Sequence, residues 1–116
     1  MLHKRSVKMG NNKKEIKKSI VCLLENYSNL KKKYVLGIEV SVSEKELINL
    51  LEKHLQMLSE LEHEVLRLSY IDNDEGIFDY VIQHKLQLSE RTFYRIKDNA
   101  LMKLYEILPS SFFEVS

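Results

Sequence analysis

From residue 89 to residue 108 an apolar side chain returns at every third or fourth position: Phe93, Ile96, Ala100, Leu101, Leu104 and Leu108. At roughly 100° per residue these positions form one stripe, so the stretch predicts a helix with a single buried face. Ser89 is suited to accept a hydrogen bond from a free backbone N–H of the first turn. Pro109 marks the stop. The other face of the first two turns carries Glu90, Arg91, Thr92, Tyr94, Arg95 and Lys97. These side chains are long or hydrogen-bonding, and they stand at the end that a recognition helix turns toward base edges.

The residues just before this helix predict a partner for it. Asp74 can cap a helix from 75 to about 86, with Ile77, Phe78, Val81 and Ile82 as its apolar face. Gln87, Leu88 and Ser89 then form a tight turn, with Leu88 directed into the core. A helix, a short turn and a longer capped helix make either a DNA-binding pair or a plain helical hairpin. Periodicity alone leaves both open.

The run from Leu86 to Lys97 reads Leu-Gln-Leu-Ser-Glu-Arg-Thr-Phe-Tyr-Arg-Ile-Lys, with Ala100 and Leu104 following. It resembles the C-terminal half of ArpU/RinA-like phage late-gene transcription regulators and, more distantly, region 4 of sigma-70-type factors. Leu61, Val65, Leu66 and Tyr70 fit the helix that precedes the motif in both families, so the resemblance covers about residues 58–108. It implies a sequence-specific, double-stranded DNA-binding transcriptional regulator, phage- or prophage-encoded. Base readout would fall to Glu90, Arg91, Thr92 and Arg95, and phosphate contact to Lys85, Ser89, Tyr94, Lys97 and Lys103. Gln83 and Gln87 stand where many such motifs have a small residue and a Gly or Asn, which predicts a wider crossing or a longer turn.

The chain of 116 residues suits one domain with one core. Only three Gly and one Pro argue for helices over sheet. The net charge is +1, but it is unevenly placed. Residues 1–33 hold ten Lys and Arg against two Glu, and residues 37–79 hold three against eleven acidic residues. Residues 80–116 hold five against four. A basic arm, an acidic middle and a mixed C-terminal region follow. The single cysteine, Cys22, sits inside the run Ile-Val-Cys-Leu-Leu and is expected to be a small buried thiol. That run is too short to span a membrane or serve as a signal-peptide core, so the expected location is the cytoplasm.

Four regions are expected. Residues 1–12 form a flexible basic arm, in which Lys4, Arg5 and Lys8 either reach DNA or are simply solvated. Residues 13–58 form an N-terminal helical region. Its first helix runs to about residue 35 with Ile16, Ile20, Leu23, Leu24, Tyr27, Leu30 and Tyr34 inward. An extended connector or short edge strand at 36–42 follows. The capping-box pattern of Ser43 and Glu46 then opens a second helix to about residue 58, with Leu47, Leu50, Leu51, Leu55 and Leu58 inward. Residues 59–108 hold the helix-turn-helix region. There Ser59 and Glu62 repeat the pattern and open a third helix to about residue 71, with Leu61, Val65, Leu68 and Ile71 inward. Residues 109–116 form an apolar tail with Phe112, Phe113 and Val115.

Residues for chemistry are sparse. His63-Glu64 begins like a zinc-protease helix, but Arg67 stands where the second His is needed. His3, His54, His63 and His84 show no ligand spacing with Cys22, and Asp72 to Glu75 lack a calcium loop's register. No phosphate loop or nucleophile elbow is present. No enzyme activity, metal or cofactor is therefore expected. The expected fold is all-α, about five helices with a C-terminal helix-turn-helix resembling sigma-70 region 4. The expected partners are double-stranded DNA, a second copy of the chain and RNA polymerase, with no membrane and no small-molecule substrate. A second reading stays open: a sigma-region-4-like module that binds RNA polymerase or another regulator without reading DNA bases.

Overall fold

The computed structural model describes residues 12–109, and all regular structure in them is helical. Helix α1 spans Lys13–Val35, α2 Val42–Leu55 and α3 Glu60–Leu66. A π-helical turn, Arg67–Ile71, continues α3. Helix α4 spans Asp79–Leu86 and α5 Glu90–Ile107. The expected all-helical fold with five helices is therefore observed, with no strand among the described residues. The basic arm with Lys4, Arg5 and Lys8, and the tail with Phe112, Phe113 and Val115, lie outside those residues.

The start of each element is set by local hydrogen bonds. In α1 the Asn12 side chain accepts from the Glu15 amide. In α2 the helix begins two residues earlier than expected. Ser41 Oγ accepts from Glu44 N at 3.1 Å and Glu44 Oε1 accepts from Ser41 N at 2.9 Å. The sequence contains two overlapping capping patterns, and the chain uses Ser41 with Glu44, leaving Ser43 inside the first turn. Ile48 thereby joins Leu51 and Leu55 on the buried face, while Leu47 and Leu50 are only half-buried. The helix stops at Leu55, but Leu58 remains buried beyond its end. The expected connector is a turn and coil around Gly37, whose φ of +81° closes α1. The expected box at Ser59 and Glu62 forms as read, opening α3.

The π-turn explains which side chains of α3 point inward. The amide of Asp72 donates to Arg67 O at 2.7 Å, a five-residue spacing. In an α-helix Leu66 and Ile71 would stand about 140° apart, and the wider turn lets both enter the core. Leu61 stays 39% exposed, because it lies about 90° from the midline between Val65 and Leu66. Arg67 forks between Glu64 and Asp72 and locks the turn from outside. Hydrogen bonding to Arg67 holds the Glu64 carboxyl below its usual range. From α1, Ser28 Oγ donates to the Ile71 carbonyl.

Two clusters make the core. The larger gathers Ile20, Leu24 and Tyr27 of α1 with Leu51, Leu55, Leu66, Leu101 and Leu104. The smaller contains Val65, Ile82 and Phe93, with Leu68, Leu86, Leu88 and Ile96 against it. Helix α5 packs chiefly on α3 and α1, and the apolar side chains of α4 pack into the small cluster. Expectations about two buried side chains and one helix cap fail for local reasons. Cys22 is exposed, since it lies about 200° around α1 from the buried Ile20. Tyr34 is exposed in the last turn, where Lys45 Nζ lies 5.9 Å from its ring centre. Asp74 does not cap a helix at 75. Gly76 adopts a φ of +66°, and the Asn73 side chain bridges Ser69 O and Ile77 O, delaying α4 to Asp79. Only Ile82 of the expected α4 face is buried, and Ile77, Phe78 and Val81 are exposed.

Candidate nucleic-acid interface

Helix α4 ends in a three-residue turn. Gln87 takes the left-handed conformation at φ 59°, ψ 44°, and the Leu88 amide donates back to Gln83 O at 2.9 Å. The turn stays short despite Gln83 and Gln87, so the longer turn expected from those residues is not formed. A left-handed glutamine costs about 1–2 kcal/mol, and glycine gives back about 0.5–1 through its larger unfolded-state entropy. Gln87→Gly is therefore expected to raise stability by about 0.5–1 kcal/mol in a denaturant melt. A loss of stability would contradict this backbone assignment.

Leu88 packs on the small cluster, and Ser89 Oγ accepts from Thr92 N at 3.1 Å to start α5. Phe93, Ala100, Leu101, Leu104 and Leu108 are buried as the stripe predicts, with Ile96 half-buried. Glu90, Arg91, Arg95, Lys85 and Ser89 are exposed, and Thr92 is half-buried. Arg91 and Arg95, one helical turn apart, share a side of α5. Neither makes an ion pair among the described residues, nor does Lys85.

The other expected phosphate contacts are engaged within the protein. Lys97 is only 9% exposed. Its ammonium lies 3.2 and 3.3 Å from the two Asp79 oxygens and 5.1–5.6 Å from the ring centres of Tyr70, Phe93 and Tyr94. It is a clamp between α4 and α5, and cannot serve as a phosphate contact in this arrangement. Tyr94 OH donates to Asp79 Oδ2 at 2.9 Å, and that hydrogen bond raises its pKa. Tyr70 is pushed up to about 12, first by burial and then by Asp79, Asp98 and Glu25. Lys103 Nζ lies 2.9 Å from Glu62 Oε1, about 18 Å along α5 from Arg91. Burial pushes the Glu62 carboxyl up, but the Ser59 amide and Lys103 outweigh it and hold it low.

Sequence reading missed the clamp, although its signal was present. Lys97 stands four residues after Phe93 and four before Leu101, and so shares their buried face. Asp79 is its acid, and Asp98, the other nearby carboxylate on α5, pairs with Lys17 at 3.2 Å. Two local acids are thus occupied while Arg91 and Arg95 remain open. Among the described residues no group of three or more His, Cys, Asp and Glu could hold a metal ion. No helix there is long and apolar enough to cross a membrane. No protein-family model, curated protein or solved structure matches the chain.

Proposed function

We propose that the chain is a cytoplasmic, sequence-specific DNA-binding transcriptional regulator, in which α4, the turn at 87–89 and α5 act as a helix-turn-helix. The observation that carries the reading is Arg91 and Arg95 on the first turns of α5, exposed and without an ion pair among the described residues. Guanidinium groups there can fork onto the two acceptors of guanine. Lys85 and Ser89 supply phosphate contacts. Glu90 can accept from cytosine, and half-buried Thr92 can approach a base edge. The resemblance to phage late-gene regulators fits the same assignment, and a second copy of the chain would double the contact on a two-fold site.

One observation favours the alternative of a protein-interaction module. Phe78 and Tyr80 are 66% and 67% exposed, and their rings stack at 5.8 Å. With Ile77 and Val81 they leave exposed apolar side chains around the start of α4 that could meet RNA polymerase or another regulator. Selection of bound duplexes from a random pool, followed by sequencing, separates the two. The DNA reading expects one enriched motif, bound with a negative slope of log affinity against log salt, about −0.9 for each cationic phosphate contact. No enrichment and a flat salt response would leave the protein-interaction reading standing.

A further inference from the structure

Between α1 and the π-turn with the loop that follows it lies a polar cavity of about 390 Å³. Its walls include Glu25, Asn29 and Lys32 of α1, and Ser69, Tyr70 and Asp74 from the π-turn and the loop that follows. We propose that this cavity is a binding site for a small organic ammonium compound. Of its three charged groups, Lys32 and Asp74 neutralise each other in an ion pair. Glu25 makes no hydrogen bond or ion pair among the described residues, so one negative charge is left on the wall. An ammonium needs three acceptors, and Glu25, Asn29 and Tyr70, whose side chains each carry an acceptor oxygen, line the same space. The volume suits a small organic molecule. The absence of any three-residue metal-holding group among the described residues argues against a bare metal ion.

Two further features set this cavity apart from a surface dimple. Ser69 lines the cavity, and its hydroxyl, buried behind that wall, has no hydrogen-bond partner among the described residues. A buried orphan hydroxyl in a native fold calls for a partner. The wall is also built on a π-turn, an element that interrupts α-helices most often where they carry function. The same loop leads into α4, so an occupied cavity would fasten α1 to the segment that positions α4. Binding itself stands apart from the DNA reading and is tested without DNA.

The experiment is an NMR titration of the ¹⁵N-labelled full chain at constant ionic strength with putrescine, its neutral counterpart 1,4-butanediol, and ammonium chloride. Putrescine is expected to give saturable one-to-one shifts concentrated in residues 25–32 and 69–76, and the other two probes are not. Glu25→Gln keeps the helix and the shape of an exposed side chain, and is expected to weaken putrescine binding about tenfold or more. A response equal to that of the diol or of ammonium chloride would overturn the site. So would shifts spread over the acidic surface without saturation, or an unchanged Glu25→Gln titration.

Discussion

Phe93→Ala is expected to cost about 3–5 kcal/mol of stability, the largest effect of any single change at the α4–α5 junction. The ring is fully buried between Val65 and Ile82, with Leu68, Leu86, Leu88 and Ile96 around it. Among the described residues this small cluster is where the apolar side of α4 is buried. A cavity there should release α4 before the larger core melts, so the amides of α4 should lose hydrogen-exchange protection ahead of those in α1. A denaturant melt of Phe93→Ala within about 1 kcal/mol of the parent would contradict the packing, since a fully buried ring cannot be removed so cheaply.

The second large effect is an asymmetry between the partners of the clamp. The Lys97 side chain is 11% exposed and that of Asp79 37%. Asp79→Ala leaves a buried ammonium without its counter-charge and takes the hydrogen bond from Tyr94. A fully buried pair broken this way costs about 3–5 kcal/mol, and the partial exposure of Asp79 reduces this to about 1–3. Lys97→Met leaves instead a carboxylate that water can reach, keeps the packing against Tyr70 and Phe93, and should cost under about 1 kcal/mol. The double variant should melt near Lys97→Met alone, giving a coupling energy of about 1–3 kcal/mol, the full cost of Asp79→Ala. Urea melts of the four proteins measure it. Equal costs for the two single changes with no coupling would mean that the clamp does not fasten α4.

Much of the fold was legible because the long helices obey one period. The stripe of α5, the bounds of α1 and the capping box at Ser59 appear in the structure as the sequence predicts. The misreadings have local causes. Cys22 was judged by the apolar run around it, when its angle from Ile20 decides its exposure. The start of α2 was ambiguous because two serines three residues before a glutamate overlap, at 41 and at 43. The π-turn has no pattern of its own: it shows only where Leu66 and Ile71 are found on one side. At the interface the exposed arginines were legible from their offset to Phe93. The burial of Lys97 is legible in the same way, from its spacing to Phe93 and Leu101; its partner is not, because Asp79 is 18 residues distant and falls inside the helix expected from 75, whereas α4 begins there.

The central claim is that Arg91 and Arg95 read bases. Its most direct test pairs a thermal melt with binding titrations of Arg91→Ala and Arg95→Ala, against the selected duplex and single-mismatch versions of it. Both side chains are exposed and unpaired among the described residues, so each variant should melt within about 0.5 kcal/mol of the parent. Each should lose about 1–3 kcal/mol of binding to the selected duplex and lose preference at one base pair. Lys103→Ala, whose ammonium is held by Glu62, should bind like the parent. If Arg91→Ala and Arg95→Ala both melt like the parent and bind every duplex with unchanged affinity, the base-reading account is contradicted.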